Sequence, residues 1–421
     1  MLRRSGSVVA TFAAVAMVAT ACSSGASSTS TTPLPKFTGN PVAIGQIVPL
    51  TGPGLQLTQL GQAVTAAVAY YNSTGGLQGH KIILDQCDSQ GTLPAETQCA
   101  QKLVDDHVVA EVGGAHVFNP AGDLAVFTAA GIPLVGLSVG AVPEYSSKIV
   151  YSIDPGQILM LAGMVVALIR HGCKDPSLVT IDQSGASQIP TLINPIAEKA
   201  GGKLKNLVLV PSASVDYSPY VTAASANGSC GAAIALASNQ ANAYVQAYTS
   251  LGAAFKLSFS SGTYSTTDLK KLPSTAVASA VYTYGVPFGD DPSVPGMANV
   301  EKVLKGGGSD ITLASANGQA ISAVLGMHAF MVAAGGISGA VTPSSVTAAV
   351  KSATNIDMWG ITPPWSPGKI IPVSGPFGSV FSNVSNPNEW DESWNGTHGT
   401  NNGTYNILAD IPGSGVIATS K

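Results

Sequence analysis

The mature part of the chain opens with VAIGQIVPL at residues 42–50, followed by TGPG at residues 51–54. The first stretch is an apolar run typical of a buried strand, and the second is a turn. Residues 60–71 have the apolar spacing of a helix, and NSTGG at residues 72–76 supplies a glycine that can cap it. Residues 81–85 are then predicted to form a second strand. Strand, helix and strand in this order predict a parallel α/β sheet.

The same alternation continues along the chain and restarts near residue 157. Further strands are predicted at residues 108–112, 132–137, 178–181, 204–210, 232–237, 256–260 and 277–284, and further helices at residues 96–106, 123–130, 157–171, 189–200, 241–251, 294–305, 318–334 and 344–352. From residue 355 the chain is rich in Pro, Gly, Asn and Trp, which predicts loops and short strands.

The restart predicts two Rossmann-like α/β lobes with doubly wound parallel sheets, joined by a multi-segment hinge. We expect residues 41–152 and 282–360 in lobe 1, and residues 153–281 and 361–421 in lobe 2. Hinge segments are expected near residues 151–155, 282–285 and 355–364. A cleft between the lobes is the expected ligand site, because strand carboxyl ends and helix amino ends converge there.

The first residues predict the compartment. Arg3 and Arg4 precede a short apolar run at residues 8–19, and small residues then lead to Cys22. A membrane span needs about 20 apolar residues, so this shorter run predicts a cleaved signal peptide at residues 1–21. Small residues before a cysteine resemble a bacterial lipobox, in which Cys22 carries lipid. An ordinary secretory signal with a chance cysteine is the alternative. The Ser- and Thr-rich stretch that follows predicts a flexible tether over residues 22–40.

Composition narrows the function classes. The chain has 421 residues, a formal net charge of −4 and only 10% charged residues, so it lacks the basic footprint of a nucleic-acid-binding protein. It contains no phosphate-binding loop, zinc-binding helix motif or dinucleotide fingerprint. We therefore expect no cofactor, no metal and no enzymatic activity.

Four cysteines remain after Cys22. An even number in an exported protein favours two disulfides. Cys87 and Cys99 are close in sequence, which favours their pairing. Cys173 and Cys230 each precede an apolar run, and they can meet if those runs form neighbouring parallel strands. Free or mispaired thiols are the alternative.

Several stretches resemble the type I periplasmic substrate-binding proteins of ABC transporters, in particular the leucine/isoleucine/valine-binding family. The resemblance is carried by GQIVPLTGP at residues 45–53, YNSTGGLQG at 71–79, CD at 87–88, AGIPL at 130–134 and residues 138–144. It covers nearly the whole mature chain and is weaker after about residue 182. It implies an extracytoplasmic, lipid-anchored monomer that captures an amino acid or a related carboxylate or amide and delivers it to a permease.

The resemblance also places the site. In the family, the ligand's carboxylate and ammonium are held by loops that correspond here to residues 114–119 and 138–141. The candidate ligand-binding residues are Ala115, His116, Phe118, Asn119, Ser138, Val139, Gly140, Gln183, Ser184, Ser238, Asn239 and Tyr264. Of these, His116, Phe118 and Tyr264 are candidates for contacts that distinguish this chain, and the alternative for each is a purely structural role in packing. The chain departs from the family where Asp182-Gln183-Ser184-Gly185 lacks the usual tyrosine, and no acidic counterpart lies near residues 260–264. Carboxylate, amide, sugar-like and aromatic ligands all remain open.

Two other functions fit parts of the sequence. Residues 136–140 read Gly-Leu-Ser-Val-Gly, the spacing of a hydrolase nucleophile elbow, with Ser138 as the nucleophile and His171, His328 or His398 as a later base. The residues after Ser138 favour a loop over the helix that this motif requires. A ligand sensor of the same fold, which passes its occupancy to a signalling partner, is the second alternative.

Overall fold

The structure is a computed structural model that describes residues 36–52, 55–183, 185–367 and 386–407. The predicted signal peptide, Cys22 and most of the tether lie outside the described residues, as does Ser184. The described residues belong to one compact unit.

The described residues form twelve strands and thirteen α-helices. The strands are β1 (Gly39–Val48), β2 (His80–Asp88), β3 (Glu111–Val112), β4 (Leu134–Val135), β5 (Val150–Tyr151), β6 (Ser177–Ile181), β7 (Leu207–Val210), β8 (Gly231–Ala235), β9 (Lys256–Ser260), β10 (Val281–Tyr284), β11 (Asn388–Trp394) and β12 (Gly399–Asn406). The helices are α1 (Thr58–Ser73), α2 (Leu93–Asp105), α3 (Pro120–Ala130), α4 (Val142–Tyr145), α5 (Gln157–Arg170), α6 (Ile189–Lys199), α7 (Ser218–Ser225), α8 (Ser238–Ser250), α9 (Thr266–Leu269), α10 (Ser274–Val277), α11 (Met297–Gly306), α12 (Gly318–Ala334) and α13 (Pro343–Ser352).

These strands form two sheets. The first has the order β2-β1-β3-β4-β5 and is parallel throughout. The second has the order β12-β11-β10-β9-β8-β6-β7 and is parallel from β10 to β7. The predicted fold class is therefore confirmed. At one edge of the second sheet, β11 pairs antiparallel with β10 and with β12. The short turn at residues 395–398 joins β11 to β12, and a turn of this length can only join antiparallel strands.

Each sheet reverses its strand order once. The chain runs from β1 to β2 and then returns to β3 on the other side of β1, and it does the same at β6, β7 and β8. At such a reversal the connecting segments leave in opposite directions and open a crevice beyond the strand carboxyl ends. Both lobes therefore offer a binding crevice at the same kind of position.

Helices α11, α12 and α13 return to the first lobe. Their apolar residues share one hydrophobic cluster with α1 and β1, and Trp365 is buried in the same cluster. The predicted lobe division at 152/153, 281/282 and 360/361 stays a prediction. The second of these positions falls inside β10, a strand of the second sheet.

Helix α5 is apolar on nearly every side, and eleven of its fourteen residues are buried. An all-round apolar helix belongs either in a protein core or in a membrane. Here α5 packs against α6 and the second sheet. Within the described ranges, no helix has both the length and the hydropathy that a membrane span requires.

Both predicted cysteine pairs lie at disulfide distance. The Cα atoms of Cys87 and Cys99 are 5.5 Å apart, and the pair joins β2 to α2. The Cα atoms of Cys173 and Cys230 are 5.4 Å apart. Strands β6 and β8, which follow Cys173 and Cys230, are neighbouring parallel strands, so the two cysteines lie at the same end of the sheet.

Candidate functional site

A cavity of about 340 Å³ lies beyond the carboxyl ends of the strands of both sheets. The first lobe contributes residues after β1, β3 and β4, and the second lobe contributes residues at the ends of β6 and β8. The cavity therefore occupies the two crevices that the strand-order reversals create.

Four long helices begin at this cavity. Thr58 of α1, Gln157 of α5, Ser238 of α8 and Gln319 of α12 all line it. A side chain caps only α12, where Asn317 Oδ1 accepts a hydrogen bond from the Ala320 N–H at 3.0 Å. Helix amino ends carry partial positive charge, so this arrangement favours an anionic or electron-rich ligand group.

The amino ends of α1 and α8 are the most open. Within the described chain, the N–H groups of Thr58 and Gln59 in α1, and of Ser238 and Asn239 in α8, have no hydrogen-bond partner. In α5 the Gln157 N–H donates to the Val139 carbonyl at 2.7 Å, so that end is already engaged. The two open ends line the same cavity from different lobes, which suits a ligand that both lobes bind.

Polar side chains with free hydrogen-bonding capacity also line the cavity. Among the described residues, no protein partner is found for the side chains of Ser138, Gln157, Thr180, Gln183, Asn239 and Gln319. Thr180 is only 4% exposed, so its free hydroxyl is turned towards the cavity and not to bulk solvent. Buried polar groups of this kind are costly unless they are satisfied, and a bound ligand would satisfy them.

The cavity wall carries little available charge. It includes no lysine or arginine among the described residues, and its acids are Asp154 and Asp268. Asp154 is buried and accepts hydrogen bonds from the Gly156 N–H at 3.0 Å and the Tyr284 hydroxyl at 3.4 Å. Burial raises the pKa of Asp154 to about 6. Asp268 caps α9 through Ser265 and pairs with Lys271, so neither acid is free to hold an ammonium group.

The first predicted loop lies at the cavity only in part. Ala115 and His116 line the wall, whereas Phe118 and Asn119 do not. Glu96 draws these residues away, since its carboxylate accepts hydrogen bonds from the N–H groups of Phe118 at 2.8 Å and Asn119 at 2.6 Å.

The His116 imidazole turns away from the cavity. The side chain is fully buried, with Nε2 3.2 Å from Glu111 Oε2 and Nδ1 3.4 Å from Glu144 Oε1. The ring stacks on Phe127 with a centroid distance of 5.8 Å. Because its side chain is buried, His116 borders the cavity through its backbone.

The second predicted loop borders the cavity. Ser138 and Gly140 line it, while Val139 is buried and packs inward. The Glu144 carboxylate accepts hydrogen bonds from the N–H groups of Gly140 at 2.8 Å and Ala141 at 2.9 Å. The Ser138 N–H donates to the Gly114 carbonyl at 3.0 Å, so the two loops also contact each other directly.

In the second lobe, Gln183, Ser238 and Asn239 line the cavity. Tyr264 does not, because it is completely buried with its ring edge-on to Phe259 and its hydroxyl donating to Asn242 at 3.0 Å. Tyr264 therefore packs in the core, which is the alternative that the sequence left open for it.

Several lining residues were not expected from the sequence. They are Leu55, Gln56, Leu57, Thr58, Gln59, Asp154, Gln157, Met160, Thr180, Tyr284, Asn317 and Gln319. The TGPG turn before Leu55 was the available signal for the first group, because a loop after a first strand opens onto the crevice. Asn317 and Gln319 carry no local signal, since α12 reaches the site only through its packing on the first lobe.

The geometry around Ser138 does not match a hydrolase. Residues 139–141 form a loop before the short helix α4, so no helix follows the serine directly. Within the described chain, no histidine is hydrogen-bonded to the Ser138 hydroxyl. His171 contacts Asp391, His328 contacts Tyr71, and His398 contacts Asn395. The nucleophile and base pair that this chemistry needs is not assembled.

Comparison with known proteins identifies the family. Residues 41–381 match the family described as periplasmic binding protein, so the chain belongs to that family. No match was found among the curated proteins.

Solved structures share the fold at low sequence identity. A substrate-binding periplasmic protein from Ralstonia solanacearum is 16% identical with a TM-score of 0.70, covering 86% of this chain and 99% of that one. A possible leucine/isoleucine/valine-binding protein from Rhodopirellula baltica is 15% identical with a TM-score of 0.71, covering 91% and 100%. An ABC transporter solute-binding protein from R. palustris, solved with benzoate, is 15% identical with a TM-score of 0.69, covering 90% and 98%.

Proposed function

We propose that this chain captures a small polar molecule between its two lobes, outside the cytoplasm, and delivers it to the permease of an ABC importer. The observation that carries this proposal is the cavity at both strand-order reversals, lined by polar groups that have no protein partner. Family membership supports an extracytoplasmic solute-binding role.

The wall chemistry indicates the kind of ligand. It combines amide and hydroxyl side chains with open helix amino ends and a few apolar surfaces, such as Leu55, Met160 and Leu236. A carboxylate, or an amide oxygen, suits the helix amino ends. The apolar part of the ligand would lie against the apolar surfaces. A carboxylate or amide fits this description, and an amino acid fits it if hydroxyl, amide and carbonyl oxygens of the wall, instead of a carboxylate, accept its ammonium group. The structural relatives named for branched-chain amino acids and solved with benzoate fall in the same range.

Ligand capture requires the lobes to move as rigid bodies. The expected hinge segments near residues 151–155 and 282–285 run side by side, because a Cβ atom on Gly285 would lie 2.5 Å from Pro155 Cδ. The third expected segment, near residues 355–364, contains Ile356, which pairs with Trp365. A ligand stabilises the closed form only through contacts that the open form lacks. Unpartnered groups on both walls, such as Ser138 and Asn239, are suited to make them.

The proposal includes a lipid on Cys22 that keeps the protein near its permease. Cys22→Ala should move the full-length protein from the membrane fraction to the soluble fraction without changing ligand binding, because Cys22 is not among the described residues that line the cavity. Cell fractionation followed by a binding assay checks this. A variant that stays fully membrane-bound would contradict the lipid anchor.

The capture proposal is tested by a thermal-shift screen of the purified protein against L-leucine, other amino acids, benzoate, amides and sugars. A ligand that binds only the folded state adds about 2.7 kcal/mol at 100 times its Kd, which raises the midpoint by a few degrees. Asn239→Ala should reduce the shift, whereas Asn299→Ala, on the exposed face of α11, should not. Absence of any shift, or a compound consumed during incubation, would contradict the proposal.

A further inference from the structure

A buried imidazole joins the two cleft loops of the first lobe. His116 belongs to the first loop and is 1% exposed. Its two ring nitrogens face different carboxylates, Glu111 Oε2 at 3.2 Å and Glu144 Oε1 at 3.4 Å. The other face of the site is closed by Phe127, on which the ring stacks. The imidazole therefore lies at the centre of a contact network that solvent does not reach.

Each carboxylate holds a different piece of the cleft. Glu111 Oε1 accepts a hydrogen bond from the Ile47 N–H at 3.0 Å, close to the end of β1. Glu144 Oε2 holds the second loop through the N–H groups of Gly140 and Ala141. The first loop also leaves room for this arrangement, because a Cβ atom on Gly114 would collide with the Glu111 carboxylate. Through His116, the first loop is linked to β1 and to the second loop at once.

The ionisable side chains around the imidazole are all acidic. Glu96 on α2, Glu111 on β3, Asp123 on α3 and Glu144 on α4 are all buried, and among the described residues no lysine or arginine pairs with any of them. Neutral imidazole can donate to only one carboxylate, whereas imidazolium can donate to both. Burial alone would lower the pKa of His116, but Glu111 and Glu144 raise it well above its usual value.

We propose that His116 is a positioning residue whose imidazolium form, by ion pairing with Glu111 and Glu144, locks the two cleft loops of the first lobe together. Loss of that proton leaves two buried carboxylates facing a single donor, so the loops separate and the cleft loses its binding-competent shape. The effect on ligand affinity rests on the proposed function, but the locking of the loops does not.

The test uses the ligand-free, full-length protein, so its result is independent of the ligand screen. Nitrogen-15 NMR of labelled histidine should show His116 as imidazolium at about pH 7, a state in which both ring nitrogens carry protons. Hydrogen exchange, corrected for the intrinsic pH dependence, should show the amides of Gly140 and Ala141 losing protection as the His116 signal titrates at higher pH.

His116→Gln removes the charge and should lower the protection of these amides by about tenfold, with no remaining pH dependence. His171→Gln is the matched control, since His171 pairs with Asp391 in the second sheet and should leave the loop unchanged. Failure of His116→Gln to fold would leave the NMR titration as the deciding measurement. A neutral His116 at about pH 7, or loop protection that does not change as His116 titrates, would overturn the proposal.

Discussion

Single buried or partly buried carboxylates shape the loops of this cleft. The carboxylates of Glu96 and Glu144 accept hydrogen bonds from backbone N–H groups of the two predicted binding loops. Asp88 accepts such bonds from the loop after β1. A carboxylate that accepts several N–H bonds fixes a loop that has no regular secondary structure of its own. The positions that determine loop shape are therefore not those that line the cavity.

Asp88 gives a prediction at this scale. Its carboxylate accepts hydrogen bonds from the N–H groups of Leu50 at 2.9 Å and Gln90 at 2.8 Å, and from the Thr51 hydroxyl at 2.5 Å. Burial would raise the pKa of Asp88, but these hydrogen bonds lower it below its usual value. Asp88→Asn should therefore lower the free energy of unfolding by about 1–2 kcal/mol at neutral pH.

The sign of the pH dependence follows from the lowered pKa. The stabilisation by Asp88 is present above its unfolded-state pKa of about 3.9 and is lost as the pH falls through the lower folded-state value. The difference between Asp88→Asn and the parent should thus shrink below about pH 4 in urea denaturation curves. Asp105→Asn, at an exposed position, is the control and should change little. An equal loss at every pH would contradict this account.

At the scale of elements, α12 approaches the first sheet without side chains in between. A Cβ atom on Gly136, which follows β4 with φ +66°, would lie 2.6 Å from Gly326 Cα. A Cβ atom on Gly326 would lie 3.1 Å from Gly136 Cα. The two glycines let the helix backbone pack directly on the end of the strand that leads into the Ser138 loop.

Gly326→Ala tests this contact because two effects oppose each other. Alanine is favoured over glycine inside a helix by about 1 kcal/mol. The added methyl must also displace backbone, and overpacking of this kind costs about 1–3 kcal/mol. We expect a net loss of stability, seen as a lower thermal midpoint. Val332→Ala, at a half-exposed position of the same helix, should change the midpoint little. A Gly326→Ala variant with a higher thermal midpoint would contradict this account, because it would show that the contact between Gly326 and Gly136 has room for a methyl group.

At the scale of the whole molecule, the interior holds several carboxyl groups whose pKa values are raised by burial. Burial raises the pKa of Asp123 to about 7 and that of Asp154 to about 6. Burial also raises the pKa values of Glu389 and Glu392 well above the usual range. Glu389 is completely buried, and neither of its carboxyl oxygens has a hydrogen-bond partner among the described residues.

These shifts predict an acid-shifted stability optimum. A raised folded-state pKa gives a contribution that is full below the unfolded value, about 4, and is lost as the pH rises through the folded value. The unfolding midpoint should therefore be highest at about pH 4–5 and fall towards about pH 8. Glu389→Gln should make this decline shallower, whereas Glu301→Gln, on the exposed face of α11, should not. A midpoint that rises steadily to alkaline pH would contradict the prediction.

The sequence by itself determined the α/β class and the restart of the strand–helix alternation near residue 157, and it favoured the two cysteine pairs that lie at disulfide distance. These features depend on local periodicity, on strand polarity and on the rule that parallel strands share an end. Helix α7 was missed because its eight residues are too short for a clear helical period, and the β11–β12 hairpin was predicted only as loops and short strands.

The tertiary structure alone decided which side chains face the cavity. The expected loops contain or adjoin four residues whose side chains do not face the cavity: His116, Phe118, Asn119 and Tyr264. They are bound elsewhere, His116 by Glu111 and Glu144, Phe118 and Asn119 by Glu96, and Tyr264 by Asn242. Asn317 and Gln319 enter from a helix that is distant in sequence. The direction of a side chain depends on partners contributed by other elements, and hydrophobic periodicity carries no information about those partners.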